Sequence, residues 1–303
     1  MGIDVGGTKV ALRIEGAGGG EGARAVGSVF RWPTPPGPSA PHRPDSVRDL
    51  AALARQVEVL RTEWGGPVEA VGIAMPATLD GTGRVVTWPG RPHWAGLGLS
   101  EELRGLFPGA AVRVADDGDL AALAEADRAG CRDLVYLGVG TGIGGGIVVD
   151  GRPIPGPGRG SCEVGHIVVD RAGERCDCGR RGCVQALASG PATLRRASGL
   201  LGLPVSFEGL RDGLAAGADW AASAVEESGE ALAAAVVGLC ELARPELVLI
   251  GGGFAAGLPG FVQLVGERAG RLARPGAPPV PVRPAALGGL SSLYGAVSLA
   301  RGR

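Results

Sequence analysis

Apolar residues alternate around a glycine turn at the start of the chain. Ile3 and Val5 precede Gly6-Gly7-Thr8, and Val10, Leu12 and Ile14 follow, which predicts a strand, a tight turn and a second strand. From Ser46 to Trp64 the period lengthens. Val47, Leu50, Leu53, Val57 and Leu60 recur at helical spacing, with Asp45 or Ser46 placed to cap the helix. Val68 to Met75 reads as a buried strand stopped by Pro76, Leu99 to Phe107 as a short helix, and Ala111 to Val114 as another strand. Asp116 to Arg128 is a turn leading into an alanine-rich helix. Gly16 to Gly22 reads as a flexible tip, and Pro33 to Pro44 as a loop too proline-rich for the interior of an element.

The middle of the chain echoes its beginning. Leu134 to Val139 is a strand, Gly140 to Gly146 a glycine turn, and Ile147 to Val149 a second strand. Gly156 to Gly190 is loop-like. Beyond it come a helix from Ala222 to Leu242, a buried strand from Leu247 to Ile250, a third glycine turn at Gly251-Gly252-Gly253, and helices from Phe261 to Leu272 and from Leu290 to Ala300. Alternating strands and helices give an α/β protein, and the echo suggests two related halves.

Composition narrows the class. The 303 residues are 45% apolar and 20% charged, enough for a packed core rather than disorder. Thirty basic side chains against 31 acidic ones leave a net charge of −1, so neither a nucleic-acid-binding face nor a polybasic membrane anchor is expected. Lys9 is the single lysine. The N-terminus lacks the pattern of a signal peptide, and the uncharged run from Leu247 to Gly266 is broken by three glycines and Pro259, unlike a membrane helix. Three of the six cysteines lie within eight residues, which reads as metal binding in a reducing, cytoplasmic setting rather than a disulfide framework.

Two features could carry chemistry. Asp4-Val5-Gly6-Gly7-Thr8-Lys9 is not a P-loop, but a glycine hairpin can press backbone N–H groups against phosphate, with Asp4 near a Mg²⁺ ion and Lys9 neutralising charge. A hairpin whose glycines serve only turn geometry is the plainer reading of that segment alone. Gly140-Thr141-Gly142-Ile143-Gly144-Gly145-Gly146 and Gly251-Gly252-Gly253 repeat the pattern, and three such turns, each after an apolar strand, suggest a nucleotide held between two lobes. The second feature is His166-x9-Cys176-x-Cys178-x4-Cys183, a spacing that suits a closed, tetrahedral and therefore structural Zn²⁺ site. Three reduced thiols on a loop are the alternative, and clustered exposed thiols oxidise.

These residues resemble the ROK family (repressors, open reading frames and sugar kinases) of the actin-like/hexokinase ATPase superfamily. The resemblance runs nearly the whole length. It rests on residues 4–9 and 140–146, on Glu163-Val164-Gly165-His166, and on Cys176-Asp177-Cys178-Gly179-Arg180-Arg181-Gly182-Cys183. It implies a two-lobed, ribonuclease H-like α/β fold with duplicated domains and a zinc knuckle at 160–190. The lobes are expected at 1–115 plus 285–303 and at 116–284. Family repressors carry a helix-turn-helix before the first glycine turn; here that turn begins at residue 4, so the kinase branch is expected.

Family kinases move the γ-phosphate of ATP, with Mg²⁺, to a hexose hydroxyl, usually O6. Their base is the Asp of an Asn-Asp pair, which falls on Asp117. Sugar ligands fall on Asp116, Asp117, Glu163, His166 and Gln185, and nucleotide contacts on Asp4, Gly6, Gly7, Thr8, Lys9, Gly140, Thr141, Gly142, Gly252 and Gly253. Relatives form dimers or tetramers, and a homodimer is expected.

Three positions depart from the family pattern: Asp116 replaces Asn, Gln185 replaces Glu, and Ala77 replaces Gly. The amide of Asn both donates and accepts, as a neutral polyol requires, whereas an ionised Asp only accepts. It also adds a negative charge beside the base, which calls for a compensating cation. A substrate ammonium group at C3 would supply one. The expected acceptor is therefore an amino sugar, most simply 3-amino-3-deoxyglucose (kanosamine), as antibiotic-producing bacteria would need to phosphorylate. A kinase of neutral hexoses or N-acetylhexosamines in which Asp116 and Gln185 compensate each other is the alternative. A sugar-binding regulator without turnover is the second, and an acetate kinase of the same superfamily is disfavoured by the cysteine knuckle.

Overall fold

Two sheets in this chain are built on the same strand order. The computed structural model describes residues 1–16, 24–33, 45–88, 90–156, 160–278 and 280–302. The tip expected over Gly16 to Gly22 and the loop expected over Pro33 to Pro44 lie outside these residues, apart from Gly16 and Pro33. The chain divides into two units: Met1–Ala124 with Gly156–Gly160 and Leu290–Arg303, and Glu125–Pro155 with Ser161–Gly289.

In the first unit, β1 (Gly2–Val5), β2 (Lys9–Glu15), β3 (Ala25–Arg31), β4 (Ala70–Ala74) and β7 (Ala111–Ala115) form a sheet in the order β3-β2-β1-β4-β7. The first three strands run as an antiparallel meander, and β1, β4 and β7 are parallel. A small hairpin, β5 (Thr78–Leu79) with β6 (Val85–Thr87), lies beyond β4. Alternation along the strands separates two faces. Ile3, Val71 and Ile73 pack with Leu53, Val57 and Leu60 of α1 (Asp45–Trp64) and with Leu99 and Leu103 of α2 (Leu99–Leu106). On the other face Gly2 and Gly72 meet Val297 and Ala296 of the C-terminal helix, Ser291–Ala300, while Ala74 packs with Leu120 and Ala296.

The expected stripe of α1 is rotated. Val47 is 47% exposed, and Ser46, Asp49, Ala52 and Leu53 take the inner face. The burial of a carboxylate, Asp49, in that face has a cause in the site, described below.

The second sheet repeats the plan, in the order β10-β9-β8-β11-β12. Its members are β8 (Leu134–Val139), β9 (Ile143–Val149), β10 (Arg152–Ile154), β11 (Leu247–Gly251) and β12 (Val282–Pro284). Again three strands are antiparallel and three parallel, sharing the central one. Val135, Leu137, Val248 and Ile250 join a core with Leu232, Val236 and Leu239 of the long helix Asp219–Ala243.

The units part inside α3 (Asp117–Ala129), after Ala124 rather than at residue 115; Leu120 packs with Ala74 and Ala296 of the first unit. Glu125 instead accepts the N–H groups of Ala286 and Leu287, both at 2.9 Å, within the second unit. The third glycine turn joins a strand to a helix: β11 ends at Gly251, and the five-residue helix Gly253–Gly257 follows. Among the described residues, no helix is long and apolar enough to cross a membrane.

Candidate active site

In each sheet the expected groups gather at the carboxyl ends of the parallel strands, where open α/β sheets bind ligands. In the first unit, β1 runs into Gly6-Gly7-Thr8 and β7 into Asp116-Asp117. Asp4 alternates with Ile3 and so shares the face of Gly2.

Asp116 is the cap of α3. Its Oδ1 accepts the N–H of Gly118 at 2.9 Å and of Asp119 at 3.3 Å. Asp117 is the first helical residue, directly after the cap. Asp117 stays partly open to solvent but is otherwise enclosed by protein. Burial pushes its carboxyl up to about 7; the charges of Asp116 and Asp4 add to the shift, and the N–H groups of Gly118 and Asp117 oppose it. Burial likewise pushes Asp4 up to about 6, against the pull of Lys9. Lys9 and Thr8 are exposed.

The sequence reading missed the residues that brace the glycine turn. Trp32 Nε1 donates to the Gly6 carbonyl at 2.8 Å, and Arg91 Nη1 to the Gly7 carbonyl at 3.0 Å. Arg91 is in turn paired with Asp49 of α1, which is fully buried. The available signal was a carboxylate four residues before Leu53 in an otherwise apolar stripe.

In the second unit two glycine turns meet. Gly252 has φ 85°, and a Cβ there would lie 2.4 Å from the Val139 carbonyl oxygen, so only glycine lets the helix Gly253–Gly257 begin against the end of β8. The Gly140 turn closes on itself, Gly140 N–H to Gly142 carbonyl at 2.9 Å, and the Gly140 carbonyl accepts Gly190 N–H at 2.9 Å. Gln185, on α4 (Val184–Ala188), turns its Oε1 to Ile143 N–H at 3.0 Å. Glu163 and His166 sit on one 3₁₀ turn, closed by His166 N–H on the Glu163 carbonyl at 2.9 Å, with Glu163 exposed.

His166, Cys176, Cys178 and Cys183 bring one ligand atom each within 4.8 Å of one another. A turn at Cys176–Gly179 and bridges between Val168 and Cys183 and between Arg175 and Arg181 fold the loop back on itself. Gly182, at φ 69°, passes so close to the Asp170 carbonyl that a Cβ would lie 1.4 Å from its oxygen. The Cys178 and Cys183 sulfurs are 3.6 Å apart, and Cys176 Sγ is 3.6 Å from His166 Nδ1. A tetrahedral ion with bonds of about 2.3 Å to sulfur and about 2.0 Å to nitrogen spaces such pairs about 3.8 Å and about 3.5 Å apart. The donor set therefore fits a small thiophilic cation.

The ROK family pattern matches residues 1–303. Over 301 residues the chain is 56% identical to a kanosamine kinase of Amycolatopsis mediterranei, covering 99% of this chain and 95% of that protein. The ROK hexokinase from Thermus thermophilus superposes with a TM-score of 0.81 at 31% identity, over 99% of this chain and 96% of its own. A ROK family glucokinase from Streptomyces griseus, solved in complex with glucose and AMPPNP, gives 0.78 at 27% identity, over 100% and 99% of the two chains. With the whole length matched and the duplicated sheet order in place, the chain belongs to the ROK family of actin-like α/β sugar kinases.

Proposed function

We propose that the protein is an ATP-dependent kinase of an amino hexose, phosphorylating O6 of 3-amino-3-deoxyglucose (kanosamine). The observation that carries the reading is the pair of adjacent carboxylates at 116 and 117, one fixed as a helix cap and the other shifted to about 7 beside it. Two acids so placed suit a substrate that brings its own positive charge. The 56% identity to a kanosamine kinase supports the same acceptor.

In this reading Asp117 orients the O6 hydroxyl and takes its proton as O6 bonds to the γ-phosphorus and the bond to the β-phosphate oxygen breaks, releasing ADP. A carboxyl near 7 is matched to that task at neutral pH. Asp116 accepts a charge-assisted hydrogen bond from the C3 ammonium. Glu163, His166 and Gln185 serve the sugar. Asp4, Gly6, Gly7, Thr8, Lys9, Gly140, Thr141, Gly142, Gly252 and Gly253 serve the nucleotide.

Asp4 would lie against a Mg²⁺ ion, which when bound neutralises phosphate charge. His166 Nδ1 and the three cysteines would hold a structural Zn²⁺, leaving no open position for water. Such an ion would fix the His166 ring and the turn carrying Glu163. A cytoplasmic site of action fits free thiols in this arrangement.

Sugar-dependent ADP release, compared for glucose, mannose, glucosamine and kanosamine, tests the reading. Kanosamine should be the best acceptor, and Asp117→Ala should abolish turnover. Glucose turned over as well as kanosamine would remove the amino-sugar specificity and leave a glucokinase, the reading that the glucose-bound Streptomyces griseus relative favours.

A further inference from the structure

Every carbonyl from Gly6 to Lys9 in the first glycine turn accepts a hydrogen bond. Gly6 accepts Trp32 Nε1 at 2.8 Å, Gly7 accepts Arg91 Nη1 at 3.0 Å, Thr8 accepts Trp32 N–H at 3.3 Å, and Lys9 accepts Gly6 N–H at 3.0 Å. In a planar trans peptide the carbonyl and the following N–H point in opposite directions. Holding the Gly6 carbonyl therefore aims the Gly7 N–H the other way, and holding the Gly7 carbonyl does the same for the Thr8 N–H. Successive N–H groups on one side of a turn make an anion-binding concavity.

The clamp is buried and over-determined. Arg91 is 8% exposed and stacks on the Trp32 ring with its guanidinium carbon 4.6 Å from the centroid. Its Nε and Nη2 both reach Asp49 Oδ2, at 3.0 and 2.5 Å, leaving Nη1 for Gly7. The same Asp49 oxygen accepts His93 Nε2 at 2.9 Å and Trp94 Nε1 at 3.0 Å. Burial alone would raise the Asp49 carboxyl, but the hydrogen bonds from His93, Trp94 and Arg91 outweigh it and hold the group below the usual carboxylate range. Asp49 is thus a fixed anion that fixes Arg91, and the planar guanidinium fork serves Asp49 with two donors and the Gly7 carbonyl with a third.

We infer that Arg91, held by Asp49 and stacked on Trp32, is a positioning residue for nucleotide phosphate: it sets the Gly6-Gly7 peptide planes so that the Gly7 and Thr8 N–H groups form a ready-made phosphate cradle. The inference rests on the kinase reading for the choice of phosphate as the anion. It adds residues outside the glycine motif to the nucleotide site.

Binding of Mg-ADP, measured by calorimetry without sugar, tests it independently of turnover. Arg91→Lys keeps the charge and loses the fork. Trp32→Phe keeps an aromatic ring beneath Arg91 and loses the Gly6 donor. Mg-ADP should bind at least tenfold more weakly to Arg91→Lys and about threefold more weakly to Trp32→Phe, while kanosamine binding to the nucleotide-free protein stays within twofold. A merely structural role would lower the melting temperature and move both ligands together. Nucleotide affinity within twofold of the parent in Arg91→Lys overturns the inference; should that variant not fold, the same result in Trp32→Phe overturns it. A parent that binds Mg-ADP but phosphorylates no sugar would remove the proposed activity and leave the cradle standing.

Discussion

The side-chain carbonyl of Gln185 accepts the backbone N–H of Ile143 at 3.0 Å, fastening the helix after the cysteine loop to the strand that leaves the second glycine turn. Gln185→Leu should orphan that N–H and cost about 1–3 kcal/mol. At about 2–4 °C per kcal/mol the loss is visible in thermal melting. Gln185→Glu keeps an acceptor there, so its Tm should match the parent, while loss of the amide donors raises the sugar KM. Equal destabilisation by Leu and Glu would show that this hydrogen bond does not hold the turn.

The pH dependence has a fixed sign. With Asp117 raised to about 7 and Asp4 to about 6, both must lose protons to work as base and cation ligand. With a neutral hexose as acceptor, so that only enzyme groups titrate, kcat/KM should fall below pH 7 and steepen below 6. A flat profile from pH 5 to 8 contradicts the assignment.

Stability runs the other way. A carboxyl raised on folding contributes stability below its unfolded pKa, and that contribution is lost as pH rises through about 7. Asp117→Asn should therefore gain stability over the parent as pH rises from 4 to 8. The gain should reach on the order of 1–2 kcal/mol, reduced by solvent on the open side of the group. Urea melts at both ends of the range measure it.

Asp116→Asn separates charge from capping. Asn caps as well as Asp, so the fold should be unchanged. Loss of the ion pair to a C3 ammonium, worth about 1.5–3 kcal/mol, should move the kanosamine-to-glucose ratio of kcat/KM by about tenfold to a hundredfold. The acid limb should also shift to lower pH, since one of the charges raising Asp117 is gone. An unmoved ratio would refute the ammonium contact.

Metal analysis should return one zinc per chain. Chelation, or Cys183→Ser, should remove it and lower Tm by about 10 °C for a loss of a few kcal/mol. Because Glu163 and His166 share one turn, the sugar KM should rise with the loss. A metal-free protein with full stability and activity contradicts the zinc reading.

The α/β alternation and the echo between the two halves were legible because each half opens with the same apolar-glycine-apolar pattern. The strand Ala25–Arg31 was not, since an edge strand with Val29 62% exposed alternates weakly. The helix Gly190–Leu201 was hidden by its own start: Gly-Pro reads as a breaker, yet proline is tolerated in a first turn, and Ser189 caps it through Ala192 N–H. At the site, motif residues were readable one by one. Asp49 and Arg91, 42 positions apart, were not, because only the folded chain pairs them.

Asp116 closes the amino end of α3 with the same side chain proposed to meet the sugar. Whatever stands there must first satisfy the helix, which narrows the choice to short oxygen-bearing residues. Of these, Asn and Asp differ by one charge and almost nothing in shape. The interchange that the backbone tolerates is thus also the one that tells a neutral acceptor from a cationic one, and a lineage could change its substrate there without first losing its fold.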